Sequence, residues 1–96
     1  MIDLTRRQTG ELVYLEAGRE LYELEVLDAE LGYVAVTSNR PTIHDRTRAF
    51  VKNSGGQPVI ELGETIRLEF GNGVLRTPQI DSLGVKGRGW SWEIAG

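Results

Sequence analysis

Apolar and polar side chains alternate along much of this chain, and glycine-rich turns cut the alternation at short intervals. That pattern constrains the fold more than any other feature. Ile66, Leu68 and Phe70 alternate with Arg67 and Glu69. Successive side chains on a strand point to opposite faces, so such a run has one dry face and one wet face. Gly71-Asn72-Gly73 follows it, a sequence that tolerates the positive φ of a tight hairpin, and Val74-Leu75-Arg76-Thr77 returns. Leu12 to Leu15 reads as a strand between Gly10 and Gly18, and Tyr33 to Thr37 as another. Ala49-Phe50-Val51 suits a short edge strand, Pro58-Val59-Ile60 is a short apolar piece, and Ile80 to Val85 forms a further strand. Trp90, Trp92 and Ile94 share a final face opposite Ser91 and Glu93, which places them toward a core. Asn53-Ser54-Gly55-Gly56 is the strongest turn, Pro41 to Thr47 reads as a loop, and Pro78 interrupts pairing. The expectation is an all-β fold of six to eight short strands, a small antiparallel β-barrel or compact sandwich, since either manages sheet edges better than an open sheet.

One segment carries two periods. From Leu21 to Leu31, a helix would stack Leu21, Leu24, Leu27 and Leu31. A strand would turn Tyr22, Leu24 and Val26 inward and leave Glu23 and Glu25 in water. Helix propensity favours the first reading. The return strand at Tyr33, with Asp28 to Gly32 as its connection, favours a hairpin, which is the preferred reading.

Ninety-six residues suit a single small β domain over 1–96. No cysteine is present, so disulfides and thiolate metal sites are excluded. The net charge of -3 gives no general affinity for nucleic acid. No apolar run approaches the roughly 20 residues of a membrane helix, and the opening Met1 to Arg7 lacks the apolar centre of a signal peptide. A soluble, cytoplasmic protein without a membrane partner is expected.

The charges are not evenly spread. Glu11 to Glu30 holds seven acids and one base, whereas Arg40 to Lys52 holds four bases and one acid. Arg40, Arg46, Arg48 and Lys52, with Phe50 among them, form the best binding candidate, and Arg6 and Arg7 would strengthen it if the fold brings them alongside. Arginine donors suit phosphates and carboxylates, and an aromatic ring can stack on a base. Phe50, Trp90 and Trp92 are candidate interface or stacking residues. His44 beside Asp45 lacks a nucleophile setting, so a loop hydrogen bond or simple exposure accounts for the pair better than acid–base catalysis. Glu20, Glu23 and Glu25 read as a wet strand face rather than a catalytic carboxylate pair. Gly84-Val85-Lys86-Gly87-Arg88-Gly89 lacks the ending of a phosphate-binding loop. No metal site and no cofactor is expected.

The opening Met1-Ile2-Asp3-Leu4-Thr5-Arg6-Arg7 with Gly10-Glu11 resembles the start of the carbon storage regulator family. The likeness extends through Glu25-Val26-Leu27, Val34, Val36, Asn39-Arg40-Pro41 and His44. The resemblance implies a small β-rich dimer that binds RNA, with Leu4, Arg6 and Arg46 as its contact residues. The residues themselves favour a non-enzymatic structural or interaction module, with a protein partner or self-association. RNA binding through the N-terminal and central arginines is the alternative.

Overall fold

The computed structural model describes residues 1–86 and 92–94, the latter as a paired backbone only. The fold is a compact antiparallel β structure of two packed sheets. Ten strands are described: β1 (Ile2–Asp3), β2 (Leu12–Ala17), β3 (Glu20–Asp28), β4 (Tyr33–Ser38), β5 (Thr47–Lys52), β6 (Val59–Ile60), β7 (Arg67–Phe70), β8 (Gly73–Arg76), β9 (Ile80–Lys86) and β10 (Trp92–Ile94). Eight form one sheet in the order β10-β9-β2-β3-β4-β5-β7-β8, and β1 pairs with β6 in a separate ribbon. This exceeds the expected six to eight, because β1 and β6 are two-residue strands too short to show a period.

The Leu21 to Leu31 ambiguity resolves as a hairpin. Tyr22, Leu24 and Val26 are buried, and Leu24 faces Val36 while Val26 faces Val34. Gly32 closes the connection at φ 64, where a Cβ would lie 2.5 Å from Pro58 Cβ. The Ala49-Phe50-Val51 segment is corrected: β5 is interior, hydrogen-bonded to β4 on one side and β7 on the other. Its alternation resembles an edge strand because only one of its faces is dry. The edges fall to β8 and β10.

The long sheet is rolled. Between β9 and β8 lie six strand spacings, about 29 Å if flat. Yet only residues 77–79 join Arg76 to Ile80, a reach of roughly 14 Å at most. The roll is pinned by residues 63–66: Gly63 donates to Ile80 O at 2.8 Å, Ile80 to Glu64 O at 2.9 Å, and Thr77 to Ile66 O at 2.9 Å. Thr77 is buried, and its hydroxyl accepts from Ile66 N at 3.2 Å and donates to Pro78 O at 2.9 Å.

Rolling lets strands distant in sheet order share one core. Val13 and Leu15 of β2, Val34 and Val36 of β4, Val51 of β5, Leu68 of β7 and Val85 of β9 belong to a single cluster. The ribbon adds Ile2 and Ile60, and Leu4 follows from the single 3-10 turn of Leu4–Arg6, held by its N–H to Pro58 O at 2.9 Å. Each fully buried aliphatic side chain contributes about 1.5–3 kcal/mol. The wet faces of all these strands therefore lie on the outside of the roll.

Candidate functional site

The outer face is built by strand parity. On β2 and β3 the outward residues are Tyr14, Glu16, Leu21, Glu23 and Glu25; Tyr14 stands opposite Glu23, and Glu16 opposite Leu21. On β5, β7 and β8 they are Arg48, Phe50, Lys52, Arg67, Glu69, Val74 and Arg76. The split seen along the sequence carries over only in part: acids prevail outside β2 and β3 and bases outside β5, β7 and β8, where Glu69 stands among them, while Arg40 and Arg46 of the basic stretch pair with Glu20 and Glu25 on the acidic side.

The acidic flank encloses an open trough of about 690 Å³ over β9, β2, β3 and β4. Tyr14, Leu21 and backbone supply much of its floor, Glu16 and Glu23 its charge, and Thr37, Asn39 and Ser82 its hydrogen-bonding groups. Burial pushes the Tyr14 phenol above its ordinary pKa, and the charge and hydrogen bond of Glu23 push it the same way. Tyr14 therefore stays protonated and hydrogen-bonded to Glu23. Arg46 and Lys86 reach the Glu25 row of this flank, and Arg46 is ion-paired with Glu25.

The basic flank has a different composition. Lys52, Arg67 and Arg76 stand directly opposite one another across β5, β7 and β8. Like charges in such register destabilise a sheet. Lys52 is relieved by Glu69 at 3.2 Å. Arg48, Arg67 and Arg76 form no ion pair among the described residues, and Arg67 Nε is buried without an acceptor there. Beside them the Tyr33 and Phe50 rings stack at 4.8 Å between centroids, tilted by 41°. Phe50 is 37% exposed and Val74 64%.

The six cations singled out in the sequence do not form one cluster. Arg40 Nη1 lies 3.0 Å from Glu20 Oε1, at the end of the roll where β3 begins. Tyr22 donates to the same carboxylate. That hydrogen bond, with Arg40 in support, holds the Glu20 carboxyl below its usual range. Arg7 lies 3.7 Å from Glu11, and Arg6 lies 3.9 Å from Asp3. Glu11 pairs near Val26, toward the far end of β3, so Arg7 and Arg40 are separated by about 20 Å along the strand. Arg46 folds toward Glu25 with φ 56, the one non-glycine in the left-handed region among the described residues. Only Arg48 and Lys52 share a face with the Phe50 ring. Trp90 and the Trp92 side chain lie outside the described residues. Leu4, implied as a contact by the resemblance, has its side chain fully buried.

Sequence reasoning missed Arg67 and Arg76. The signal was present: a hairpin turn that pairs Phe70 with Gly73 must also pair Arg67 with Arg76. The third member of the row, Lys52, could not be read so, because β6 and two turns separate it from β7.

His44 and Asp45 do not form a pair. Asp45 Oδ1 accepts from Thr37 Oγ1 at 3.0 Å, and the His44 backbone carbonyl accepts from Thr47 Oγ1 at 2.6 Å. His44 also lines a shallow pocket of about 200 Å³ with Thr42, Thr47 and Asn72. Among the described residues no three His, Asp or Glu side chains are grouped to hold a metal ion, and no helix is long and apolar enough to cross a membrane.

Compared with known proteins, the chain matches no family model, no curated protein and no solved structure at significance.

Proposed function

We propose that this protein is a non-enzymatic interaction module that works through the outside of its rolled sheet. The observation that carries the reading is the basic flank. Three cations that have no acid partner among the described residues, Arg48, Arg67 and Arg76, are held beside an exposed aromatic ring at the expense of like-charge repulsion. A fold that served only as a scaffold gains nothing from that row. Arginine and exposed aromatics are the residues that most often anchor a partner. The direct test is retention on an immobilised polyanion. Wild type should elute at higher salt than a variant carrying Arg48→Gln, Arg67→Gln and Arg76→Gln. Equal elution would remove the flank as a binding surface.

A second reading is RNA binding, supported by the N-terminal resemblance and by the Tyr33–Phe50 stack beside the cations. Bases stack on such rings while arginines neutralise phosphates. In this reading the track is Arg48, Lys52, Arg67 and Arg76, not Arg6, Arg7 and Arg40. Labelled oligo(U) should bind with a steep salt dependence, and Phe50→Ala should weaken it by about 1–3 kcal/mol. Unchanged affinity in Phe50→Ala would leave stacking without a role.

A further inference from the structure

We infer that the protein assembles with itself head to tail, the basic flank of one copy seating in the acidic trough of the next. The inference rests on the interaction-module reading and names its partner as a second copy of this chain.

The two surfaces match in chemistry. The trough offers the Tyr14 ring and Leu21 for apolar contact, with Glu16 and Glu23 at the same place. Glu16 meets no cation within ion-pair range among the described residues. The basic flank presents Phe50 two residues from Arg48 on one strand, so an aromatic ring and a guanidinium project side by side. Phe50 would lie against Tyr14 and Leu21, and Arg48 would meet the carboxylates. Leu21, 48% exposed, and Phe50, 37% exposed, would both leave water.

Geometry then chooses the mode of assembly. From β9 through β2, β3, β4, β5 and β7 to β8 there are seven strands around the roll. The trough centres on β2 and β3, and the row of cations on β7, about half the circumference away; Phe50 and Arg48, on β5, lie two strands from Glu23 and three from Glu16. Among the described residues, neither Glu16 nor Glu23 is ion-paired to Arg48, Arg67 or Arg76 within the molecule. A two-fold dimer cannot engage both patches of each copy at once, because the two patches face different directions around the roll. Each copy therefore has one neighbour at its trough and another at its basic flank, a heterologous contact that continues rather than closing at two.

The test uses two variants of the full chain. Glu16→Lys with Glu23→Lys removes the acceptor side, and Arg48→Glu with Arg76→Glu removes the donor side. Light scattering across concentration at low salt should show wild type growing past the dimer, and each variant alone staying monomeric. An equimolar mixture of the two should assemble again, the intact basic flank of the first seating in the intact trough of the second and the reversed charges meeting at the alternate contact. Raising salt from about 0.05 to 0.5 M should weaken wild-type assembly by about tenfold or more, since exposed charges are screened. Glu16→Lys alone is the second acceptor variant, because Glu16 is exposed and lacks the Tyr14 hydrogen bond that Glu23 carries; it should shift assembly in the same direction. A wild type that stays monomeric, or stops at the dimer, overturns the inference. If wild type stays monomeric while the Arg48, Arg67 and Arg76 triple variant loses polyanion retention, the interaction reading stands and only the self-partner fails.

Discussion

Replacing Gly32 by alanine tests how the β3–β4 connection is held against the ribbon. Gly32 sits at φ 64, and an added Cβ would lie 2.5 Å from Pro58 Cβ and 3.2 Å from Val51 O. Neither neighbour yields easily. Pro58 is a rigid ring whose carbonyl holds Leu4 N at 2.9 Å, and Val51 N donates to Gly32 O at 2.9 Å. Left-handed backbone costs an L-residue about 1–2 kcal/mol. The stiffer unfolded chain returns about 0.4–1 kcal/mol. Overpacking against Pro58 and Val51 adds roughly 1–3 kcal/mol. The expected loss is about 2–4 kcal/mol, or roughly 10–25 °C in Tm for a domain of this size. Gly63→Ala supplies the control: its φ is 82 and no atom lies within 4 Å of the added Cβ, so only the backbone terms apply. Urea unfolding of both variants isolates the steric part as their difference. If Gly32→Ala is no less stable than Gly63→Ala, the close approach of Pro58 is not what selects glycine there.

Two further outcomes follow from the polar contacts. Burial, reinforced by hydrogen bonding and the charge of Glu20, holds the Tyr22 phenol well above the ordinary tyrosine range. A folded-state pKa above the unfolded one gives stability that is complete below about pH 10 and is lost as pH rises beyond it. Tyr22→Phe should therefore cost about 1–2 kcal/mol at neutral pH through the lost hydrogen bond, and urea midpoints should fall less steeply with pH above 10 than in wild type; parallel curves would refute the assignment. Arg76→Gln, which removes one like charge from the row opposite Arg67, should raise stability by about 0.2–0.5 kcal/mol while lowering the salt needed for elution from a polyanion, and a loss of both would mean that Arg76 supports the fold instead.

The dry faces are legible in the amino-acid order, because burial and the two-residue strand period act within a single strand. Tyr22, Leu24 and Val26 of β3, and Ile66 and Leu68 around β7, are where alternation puts them. The Gly71-Asn72-Gly73 turn also carries its own register, and with it the pairing of Arg67 to Arg76. The site is less legible. The cations close together in the sequence, Arg40, Arg46 and Arg48, are drawn apart by acids that lie 20 or more residues earlier in the chain.

What the amino-acid order alone determined is local: which residues face in, where the hairpins turn, and that acids and bases occupy different stretches. What only the tertiary structure decided is neighbourhood. The three-residue link between β8 and β9 forces the sheet to roll, and rolling sets Glu16 and Glu23 on one flank and Arg48 and Lys52 on another. Strand pairing then brings Lys52 beside Arg67, and Glu20 and Glu25 beside Arg40 and Arg46. Side-chain period is a property of one strand, whereas charge neighbours depend on which strands pair and how the sheet bends.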